Sequence, residues 1–433
     1  MNDTEAIPIV GSGLAGAMLA CLLGQAGRRV ILFERRGDPR SAANAAGRSI
    51  NLALSTRGMY ALEQVGLLQE VLRQGVIMRG RMIHHRNGSL DYQPYGTDDT
   101  QVLHSVSRAE LNRALIEKAA RLPNVEMRFE HRCTGVHLET GAIEFTTPQG
   151  CVTYTGSLII GADGAYSAVR ASMQRRERFN FSQAYLDHGY KELHFPPGST
   201  LQPHALHIWP RGGFMMIALP NADGSFTGTL FWPYTLFDQI QTAQQVVTFF
   251  REQFPDAVPL LPTLTQDYAT NPIGSLVTIR CAPWHVGRAV LVGDASHAVV
   301  PFLGQGMNAA FEDCTTLVEE LLAHPDQPER AFAAYDARRR ADCDVLAQLC
   351  LDNFHEMRDH VGSRWFVWSK RLSLWLMRLL PGYVPLYTLV EFTRVPYAQA
   401  QRRVRRQQRW IIAWLSGLLA LLGAIVGWWL VVG

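Results

Sequence analysis

A glycine-rich turn between two apolar runs constrains the fold of this 433-residue chain more than any other feature. Residues 7–10 are apolar, GSGLAG follows at 11–16, and the helical run AMLACLLGQAG begins at 17 after the last of these glycines. A second apolar run starts at 30 and ends at Glu34. Strand, turn, helix and strand in this order is typical of the phosphate-binding unit of a dinucleotide-binding α/β fold.

The glycines of this turn have separate tasks. Gly11 makes the tight turn, Gly13 lets the backbone approach a diphosphate, and Gly16 allows the helix to pack closely on the strand. The diphosphate then lies at the positive end of the helix, and the acid after the second strand accepts hydrogen bonds from a ribose. The turn alone does not distinguish FAD from NAD. The candidate cofactor-binding residues here are Gly11, Gly13, Leu14, Ala15, Gly16, Glu34 and Arg35.

Composition excludes several other classes of protein. With 47% hydrophobic and 18% charged residues, the chain is not natively unfolded. The net charge of +3 comes from five arginines between 402 and 409, without which 36 basic residues face 38 acidic ones, so no nucleic-acid partner is expected. Seven scattered cysteines without a CxxC pair, and the lack of an HExxH spacing, predict neither a disulfide framework nor a metal site.

The C-terminal tail has the pattern of a membrane anchor. Residues 410–433, WIIAWLSGLLALLGAIVGWWLVVG, carry no charge, and as a helix they would span about 36 Å against a hydrocarbon core of about 30 Å. Tryptophans lie at both ends, and the five arginines form a basic collar before the span. The sequence therefore predicts a single-pass, tail-anchored membrane protein whose N-terminal body faces the cytoplasm, with the lipid bilayer as a partner. A buried core helix is the alternative.

Two later segments resemble a known family. Residues 157–170 read SLIIGADGAYSAVR, and residues 288–313 read RAVLVGDASHAVVPFLGQGMNAAFED. Together with the N-terminal turn, in this order and spacing, they resemble the class A flavoprotein aromatic hydroxylases. The resemblance implies bound FAD and a transiently bound NADPH that has no Rossmann domain of its own; the preference for NADPH over NADH is left open. It further assigns to the cofactor Arg108, Asp163, Asp294, Gly304, Gly306, Met307 and Asn308.

Within this family the chain resembles the members that hydroxylate L-kynurenine. The similar segments include 47–55, 78–82, 93–96, 190–193, 205–210, 301–308, 352–357 and 394–400. The resemblance implies that Arg81 and Tyr95 hold the substrate carboxylate and that Asn353 and Tyr397 complete the polar contacts, which agrees with the cation that a zwitterion requires. It also implies an apolar pocket for the aniline ring, formed by Pro301, Phe302, Leu206, Met215, Ile217 and Met357.

The implied reaction converts L-kynurenine to 3-hydroxy-L-kynurenine with NADPH and O₂ through a C4a-hydroperoxyflavin, as a step of tryptophan catabolism. No side chain is assigned a catalytic role, because the flavin carries the chemistry and the amine already activates the ring. Two alternatives remain. A tail-anchored flavin monooxygenase for a lipid or quinone would share the cofactor motifs, and a non-enzymatic flavin-fold chaperone would have degenerate ones.

The expected architecture is α/β. A discontinuous Rossmann-type FAD-binding domain covers 1–70, 98–180 and 280–330, and a mostly antiparallel β-sheet substrate domain is inserted as 71–97 and 181–279. A helical region at 331–409 caps the active site and leads to the transmembrane helix at 410–433. The oligomeric state is not predicted.

Overall fold

The computed structural model of the chain describes residues 6–41, 51–360, 376–377 and 382–432. Parts of the predictions lie outside these residues: the domain ranges at 1–5, 42–50, 361–375 and 378–381, the resemblance at 47–50, and Gly433 of the tail.

The strands in the described part of the chain are β1 (Ile7–Val10), β2 (Val30–Phe33), β3 (Asn51–Leu54), β4 (Val76–Met78), β5 (Gly80–His84), β6 (Leu90–Pro94), β7 (Leu103–Ser107), β8 (Val125–Arg128), β9 (Arg132–His137), β10 (Ala142–Thr147), β11 (Gly150–Thr155), β12 (Ile159–Gly161), β13 (Asn180–Phe195), β14 (Ala205–Pro210), β15 (Met215–Pro220), β16 (Phe226–Pro233), β17 (Gly274–Ala282), β18 (His285–Val286) and β19 (Ala289–Leu291).

The α-helices are α1 (Leu14–Gln25), α2 (Thr56–Gln64), α3 (Leu68–Gln74), α4 (Arg108–Ala120), α5 (Ala168–Met173), α6 (Tyr234–Gln239), α7 (Ala243–Gln253), α8 (Leu264–Thr270), α9 (Asp294–His297), α10 (Gly306–Ala323), α11 (Pro328–His355), α12 (Leu386–Glu391) and α13 (Tyr397–Val432). Short 3₁₀ turns cover Val258–Leu260 and Pro301–Leu303, and a π-helical turn covers Glu356–His360.

The first sheet is mostly parallel. Its strand order is β18-β19-β12-β1-β2-β8, and only β18 and β19 run antiparallel. Strands β1, β2, β12 and β19 are short, apolar and buried along their length, as parallel strands covered on both faces are. Helix α1 connects β1 to its parallel neighbour β2, so the predicted dinucleotide-binding unit is confirmed.

The second sheet has seven strands and two different faces. Its order is β17-β13-β16-β15-β14-β5-β6, antiparallel except between β14 and β5. Because side chains alternate along a strand, Arg81, Leu206 and Ile217 share one face while Trp209 and Met216 share the other. The Trp209 face packs against helices α6, α7 and α8 and forms a separate hydrophobic core. The opposite face is left for the site.

The structure divides the chain slightly differently from the predicted domain ranges. Strand β4, at 76–78, pairs with β7, which also pairs with β3, so it does not join the seven-stranded sheet. Strand β17 belongs to that sheet and runs through position 280, where the FAD-binding domain was expected to resume. Strands β9 to β11 form a small antiparallel sheet that the sequence did not predict.

The C-terminal region is helical, as predicted. Helix α11 runs for 28 residues, and α13 continues for 36 residues into the tail. None of the helices, as far as they are described, combines the length and hydropathy that crossing a bilayer requires. The prediction for 410–433 also falls partly on side chains that lie outside the described residues.

Candidate active site

Four predicted cofactor motifs leave the same edge of the parallel sheet. The glycine turn follows β1, Glu34 follows β2, Asp163 follows β12 and Asp294 follows β19. These strands are neighbours in the order β19-β12-β1-β2, so their carboxyl ends lie side by side. Ligands of open α/β sheets bind at this edge.

The glycine turn has the geometry that a diphosphate requires. Gly11 has a φ of +102°, and a Cβ on Gly16 would lie 1.8 Å from the carbonyl oxygen of Gly11, so only glycine fits at either position. A Cβ on Gly13 would meet no atom within 4 Å, so the backbone there faces open space. Helix α1 begins at this point without a side-chain cap, which leaves its first amides for a ligand. The turn therefore fits FAD.

Substitutions at two of these glycines should have different effects. The Gly13→Ala variant is expected to fold normally but to bind FAD about tenfold more weakly or worse, because its methyl group occupies space that the diphosphate needs. The Gly16→Ala variant is expected to lose about 1–3 kcal/mol of stability through overpacking. Flavin absorbance per protein and thermal unfolding of the apo-protein separate the two effects. Equal FAD content in Gly13→Ala and the parent chain would contradict the assignment.

A cleft of about 1150 Å³ opens beside this turn. Its lining includes Gly13, Leu14, Glu34 and Arg108, and Arg108 begins helix α4 on the far side. Ala15 lies in the first turn of α1 and Arg35 is exposed, and neither lines the cleft. The structure thus brings three of the seven residues predicted around the glycine turn to one cavity, together with Arg108.

The carboxylate of Glu34 is held in place by the glycine turn. One oxygen accepts from the Ser12 amide at 2.9 Å and from the Ser12 hydroxyl at 3.1 Å, and the other accepts from the Arg36 amide at 3.0 Å. The side chain is therefore preorganised as a hydrogen-bond acceptor at the rim of the cleft.

The acidic residues of the two later motifs, Asp163 and Asp294, differ from each other in their surroundings. Asp163 accepts from the amides of Ala168 and Val169 at 2.7 and 3.3 Å, and its second oxygen is buried without a partner in the described part of the chain. Loss of hydration raises the pKa of this carboxyl. Asp294 begins α9 and is exposed. Their roles toward the flavin stay predictions.

The turn before α10 is fixed by an asparagine. The Asn308 amide donates to the carbonyl oxygens of Gly304 and Ala53, both at 2.9 Å, and its oxygen accepts from the Ser55 amide at 3.0 Å. Gly304 adopts a φ of +70°. The side chain of Met307 is buried in the core. The side chains of Met307 and Asn308 therefore stabilise the conformation of this turn. Helix α10 starts at Gly306 without a side-chain cap, and its free amides favour a negative charge.

Arg81 lies beside two stacked tyrosine rings. Its guanidinium carbon is 4.9 Å from the ring centre of Tyr387 and 5.9 Å from that of Tyr95, and the two rings are 5.6 Å apart. Arg81 is only 8% exposed and forms no ion pair with any described residue. Burial alone would lower the pKa of Arg81, but Tyr387, Tyr95 and Glu356 raise it, so the guanidinium stays charged. Burial also raises the pKa of Tyr95 to about 12, so that phenol remains a neutral donor.

A buried cation flanked by phenol hydroxyls is suited to a carboxylate. Guanidinium binds a carboxylate through two parallel hydrogen bonds, and the hydroxyl of a neighbouring tyrosine can add another. The backbone register places Arg81 opposite Leu206, and Leu206 and Ile217 pack against both the cluster around Tyr95 and the cluster around Phe302. The cationic end and the apolar pocket are therefore contiguous.

The apolar part of this pocket is largely aromatic. The ring of Phe302 lies 4.8 Å from Phe231 and 4.4 Å from Phe354, centre to centre. Met215 and Met357 belong to the same buried cluster. Five of the six predicted lining residues, Leu206, Met215, Ile217, Phe302 and Met357, pack in or against this cluster, whereas Pro301 is exposed.

Two predicted polar contacts are occupied by the protein itself. The hydroxyl of Tyr397 donates to Gln305 at 2.9 Å, and its ring lies 4.1 Å from the guanidinium of Arg57, so Tyr397 does not join Arg81. The expected place of Tyr397 is taken by Tyr387, because α12 faces Arg81 while α13 faces Arg57. The Asn353 amide donates to the carbonyl oxygen of Phe302 at 2.7 Å and so positions the pocket wall.

A buried carboxyl stands between the two halves of the site. Glu391 ends α12, is 1% exposed, and accepts from the Gln305 amide at 2.7 Å. Its other oxygen is buried without a hydrogen-bond partner among the described residues. Burial raises the pKa of Glu391 to about 8, against the opposing effects of Arg81, Gln305 and Arg57. At neutral pH the carboxyl is mostly protonated.

An alternating chain of buried charges supports both ligand regions. Arg339 donates to Asp313 at 2.8 Å and to Glu312 at 2.7 Å, Glu312 accepts from Arg57 at 2.9 Å, and His297 pairs with Asp313. Burial lowers the pKa of His297, but Asp313 outweighs this effect and raises it. Each buried charge therefore faces an opposite one, as buried ion pairs require.

This chain of charges includes a geometric metal-binding candidate. Ligand atoms of His297, Asp313 and Cys343 lie within 4.8 Å of one another. The guanidinium of Arg339, however, donates to Asp313 and contacts the Cys343 sulfur at 3.6 Å. A cationic side chain thus already occupies the position where a metal would bind.

Comparison with known proteins places the chain in a family. The model of the FAD binding domain family matches residues 3–348. Kynurenine 3-monooxygenase of Salinispora arenicola is 46% identical over 97% of this chain and 95% of its own length. The proteins of the same name from Dictyostelium discoideum and Anopheles gambiae are 45% and 42% identical over 92% and 91% of this chain, covering 90% and 83% of their own lengths.

Solved structures share the fold at lower identity. The tetrameric form of 2-methyl-3-hydroxypyridine-5-carboxylic acid oxygenase superposes with a TM-score of 0.69 at 23% identity, over 86% of this chain and 97% of that one. Pseudomonas aeruginosa PqsL in complex with 2-aminobenzoylacetate gives 0.67 at 24% identity, over 82% and 97%. The family model and the curated relatives show that the chain is an FAD-dependent aromatic monooxygenase, and the solved structures share its fold. It belongs to the kynurenine 3-monooxygenase family, so the resemblance found in the sequence is confirmed.

Several functional residues were missed in the sequence. Tyr387 and Glu391 lie one helical turn apart in LYTLVEF, so a polar pair on one face of a short apolar helix was a legible signal. Arg57 had no such signal, because its partners Glu312 and Tyr397 are distant in the chain.

Proposed function

We propose that this chain hydroxylates L-kynurenine at ring carbon 3, consuming NADPH, a proton and O₂ and releasing NADP⁺ and water. The observation that carries the assignment is the buried, charged Arg81 beside the rings of Tyr95 and Tyr387, contiguous with an aromatic pocket, in a chain of this family. FAD, when bound, supplies the oxygen-transfer chemistry that side chains lack. The place of this reaction in tryptophan catabolism is part of the same proposal.

The residues of the chain position the reactants and exclude water. Arg81 holds the substrate carboxylate, and the cluster around Phe302 holds the ring against the flavin side of the pocket. The amides at the start of α10 favour negative charge on the neighbouring cofactor. Asn353 fixes the backbone of Phe302, so the pocket wall keeps its shape.

The test is aerobic NADPH oxidation by the holoenzyme with and without L-kynurenine, with products identified by mass and hydrogen peroxide measured separately. The proposal expects one 3-hydroxykynurenine per NADPH. NADPH consumption that yields only peroxide would mean that kynurenine acts as an effector and not as the substrate. The absence of any stimulation would overturn the assignment.

We also propose that residues 410–433 anchor the chain to a membrane, with the body on the cytoplasmic side. Support comes from the 24-residue uncharged run, the preceding arginines at 402–409, and the exposure of Trp410, Ile412, Trp414 and Trp428 on α13.

Removal of the tail tests the anchor. A chain ending after Arg409 is expected to move from the membrane pellet to the supernatant with its kynurenine-dependent NADPH oxidation unchanged, because every described residue of the site precedes this position. A full-length chain that stays in the supernatant without detergent would contradict the anchor.

A further inference from the structure

Glu391 is placed to contact the substrate. Its neighbour Val390 belongs to the cluster of Phe302 and Met357, and the next residue, Phe392, packs against the cluster of Tyr95. Tyr387, one turn earlier on α12, contacts Arg81. The carboxyl therefore lies where the carboxylate-binding end and the ring pocket meet.

The two oxygens of this carboxyl group differ in their hydrogen bonding. The first oxygen accepts from Gln305, whereas the second is buried with no hydrogen-bond partner in the part of the chain that the structure describes. A buried polar atom without a partner is costly, and such groups often await a ligand. When the carboxyl is ionised, this second oxygen is a free acceptor for a hydrogen-bond donor of the ligand.

The proposed substrate brings a donor. L-Kynurenine carries its ammonium and carboxylate on the same carbon, so an ammonium must lie close to Arg81 whenever the carboxylate is bound there. Two carboxyl groups interact with the charges of this cluster, Glu391 and Glu356. Glu356 is less buried, lies in the π-helical turn and already has a partner of its own. Glu391 is the better acceptor.

We propose that Glu391 binds the α-ammonium group of the substrate, so that the site recognises the amino acid as a zwitterion. This inference rests on the proposed function. Arg81 and Glu391 then hold the two charges of one substrate, and a compound with the carboxylate but no amine leaves Glu391 without its donor.

Binding of the substrate should also release a proton from Glu391. The groups that act on Glu391 are Arg81 of β5, Arg57 of α2, Gln305 before α10, Tyr95, Tyr387 and Cys350 of α11. At pH 7 the free enzyme holds a mostly protonated Glu391, and the arriving ammonium stabilises the carboxylate. The carboxyl O–H bond breaks, and the proton goes to solvent. Nearly one proton is therefore released for each kynurenine bound.

The experiment is titration calorimetry of the oxidised holoenzyme, without NADPH, in two buffers of different ionisation enthalpy. The ligands are L-kynurenine and 4-(2-aminophenyl)-4-oxobutanoate, which lacks the α-amine. We expect the parent enzyme to prefer kynurenine by about 10- to 100-fold and to release a proton only with kynurenine. Proton release should decrease between pH 7 and pH 9, as Glu391 becomes ionised in the free enzyme.

The variants Glu391→Gln and Glu356→Gln form a matched pair. Glu391→Gln should lose both the preference and the proton release while keeping its FAD and its affinity for the analogue, and Glu356→Gln should keep the preference. A Glu391→Gln enzyme that still prefers kynurenine would overturn the proposal, as would equal proton release with the two ligands in the unaltered enzyme. Failure of both ligands to bind the unaltered enzyme would instead count against the proposed function.

Discussion

The Arg81→Met variant is expected to bind L-kynurenine at least about 30-fold more weakly than the parent enzyme while keeping its FAD. Methionine retains most of the apolar stem, but it removes the guanidinium that faces both Tyr95 and Tyr387. Truncating one partner of a buried, hydrogen-bonded charge pair costs about 2–5 kcal/mol, which corresponds to this range. The substrate carboxylate would then be buried against neutral phenols alone.

The measurement is the Kd for kynurenine from flavin absorbance changes, together with the flavin content of each preparation. Arg79→Met is the matched control, because Arg79 precedes the same strand but is exposed and pairs with the exposed Asp99. This variant should bind kynurenine normally, since exposed ion pairs contribute little. An Arg81→Met enzyme with the Kd of the parent would remove Arg81 from the site.

The cofactor half of the site could be predicted because its signals are local. Tight turns need glycine at particular backbone positions, and the strand, turn and helix that surround Gly11 to Gly16 are adjacent in sequence. The motifs at Asp163 and Asp294 follow short apolar strands whose parallel pairing then brings them together. Local sequence patterns were therefore sufficient to predict the fold of the cofactor half of the site.

The substrate half could be predicted only in part. Arg81 and the apolar residues share a face because strands alternate, which a pattern of period two reveals. Tyr397 was expected beside Arg81, but the choice between two tyrosines ten residues apart depends on how α12 and α13 dock onto the sheet. That docking is a long-range property, and no local spacing encodes it. The membership of β4 in the sheet of β7 was missed for the same reason.

The Arg339→Met variant is expected to show the largest loss of stability. Arg339 is 4% exposed and donates to both Asp313 and Glu312, and a third carboxyl, that of Asp342, lies 4.0 Å away. Removing the cation leaves buried carboxylates without compensation, which costs about 3–5 kcal/mol. For a chain of this size the thermal midpoint should fall by about 3–6 °C.

The neighbouring Arg338→Met variant is the control. Arg338 pairs with Glu319 and Glu320 at a half-exposed position, so its loss should shift the midpoint by no more than about 2 °C. Thermal unfolding of the two variants, each with and without added FAD, is the measurement. Equal midpoints for the two would show that the buried chain of charges does not stabilise the fold.

The effect of Arg339→Met should extend to both ligands. Asp313 also accepts from the Gly293 amide at 3.3 Å, beside the predicted flavin motif, so an altered Asp313 should weaken FAD binding. Glu312 holds Arg57, which contacts Tyr397, whose hydroxyl donates to Gln305. A variant that loses stability while binding FAD and kynurenine as tightly as the parent enzyme would show that these charges stabilise only the core. Weakened binding of both ligands would show that the same buried chain of charges positions both the cofactor half and the substrate half of the site.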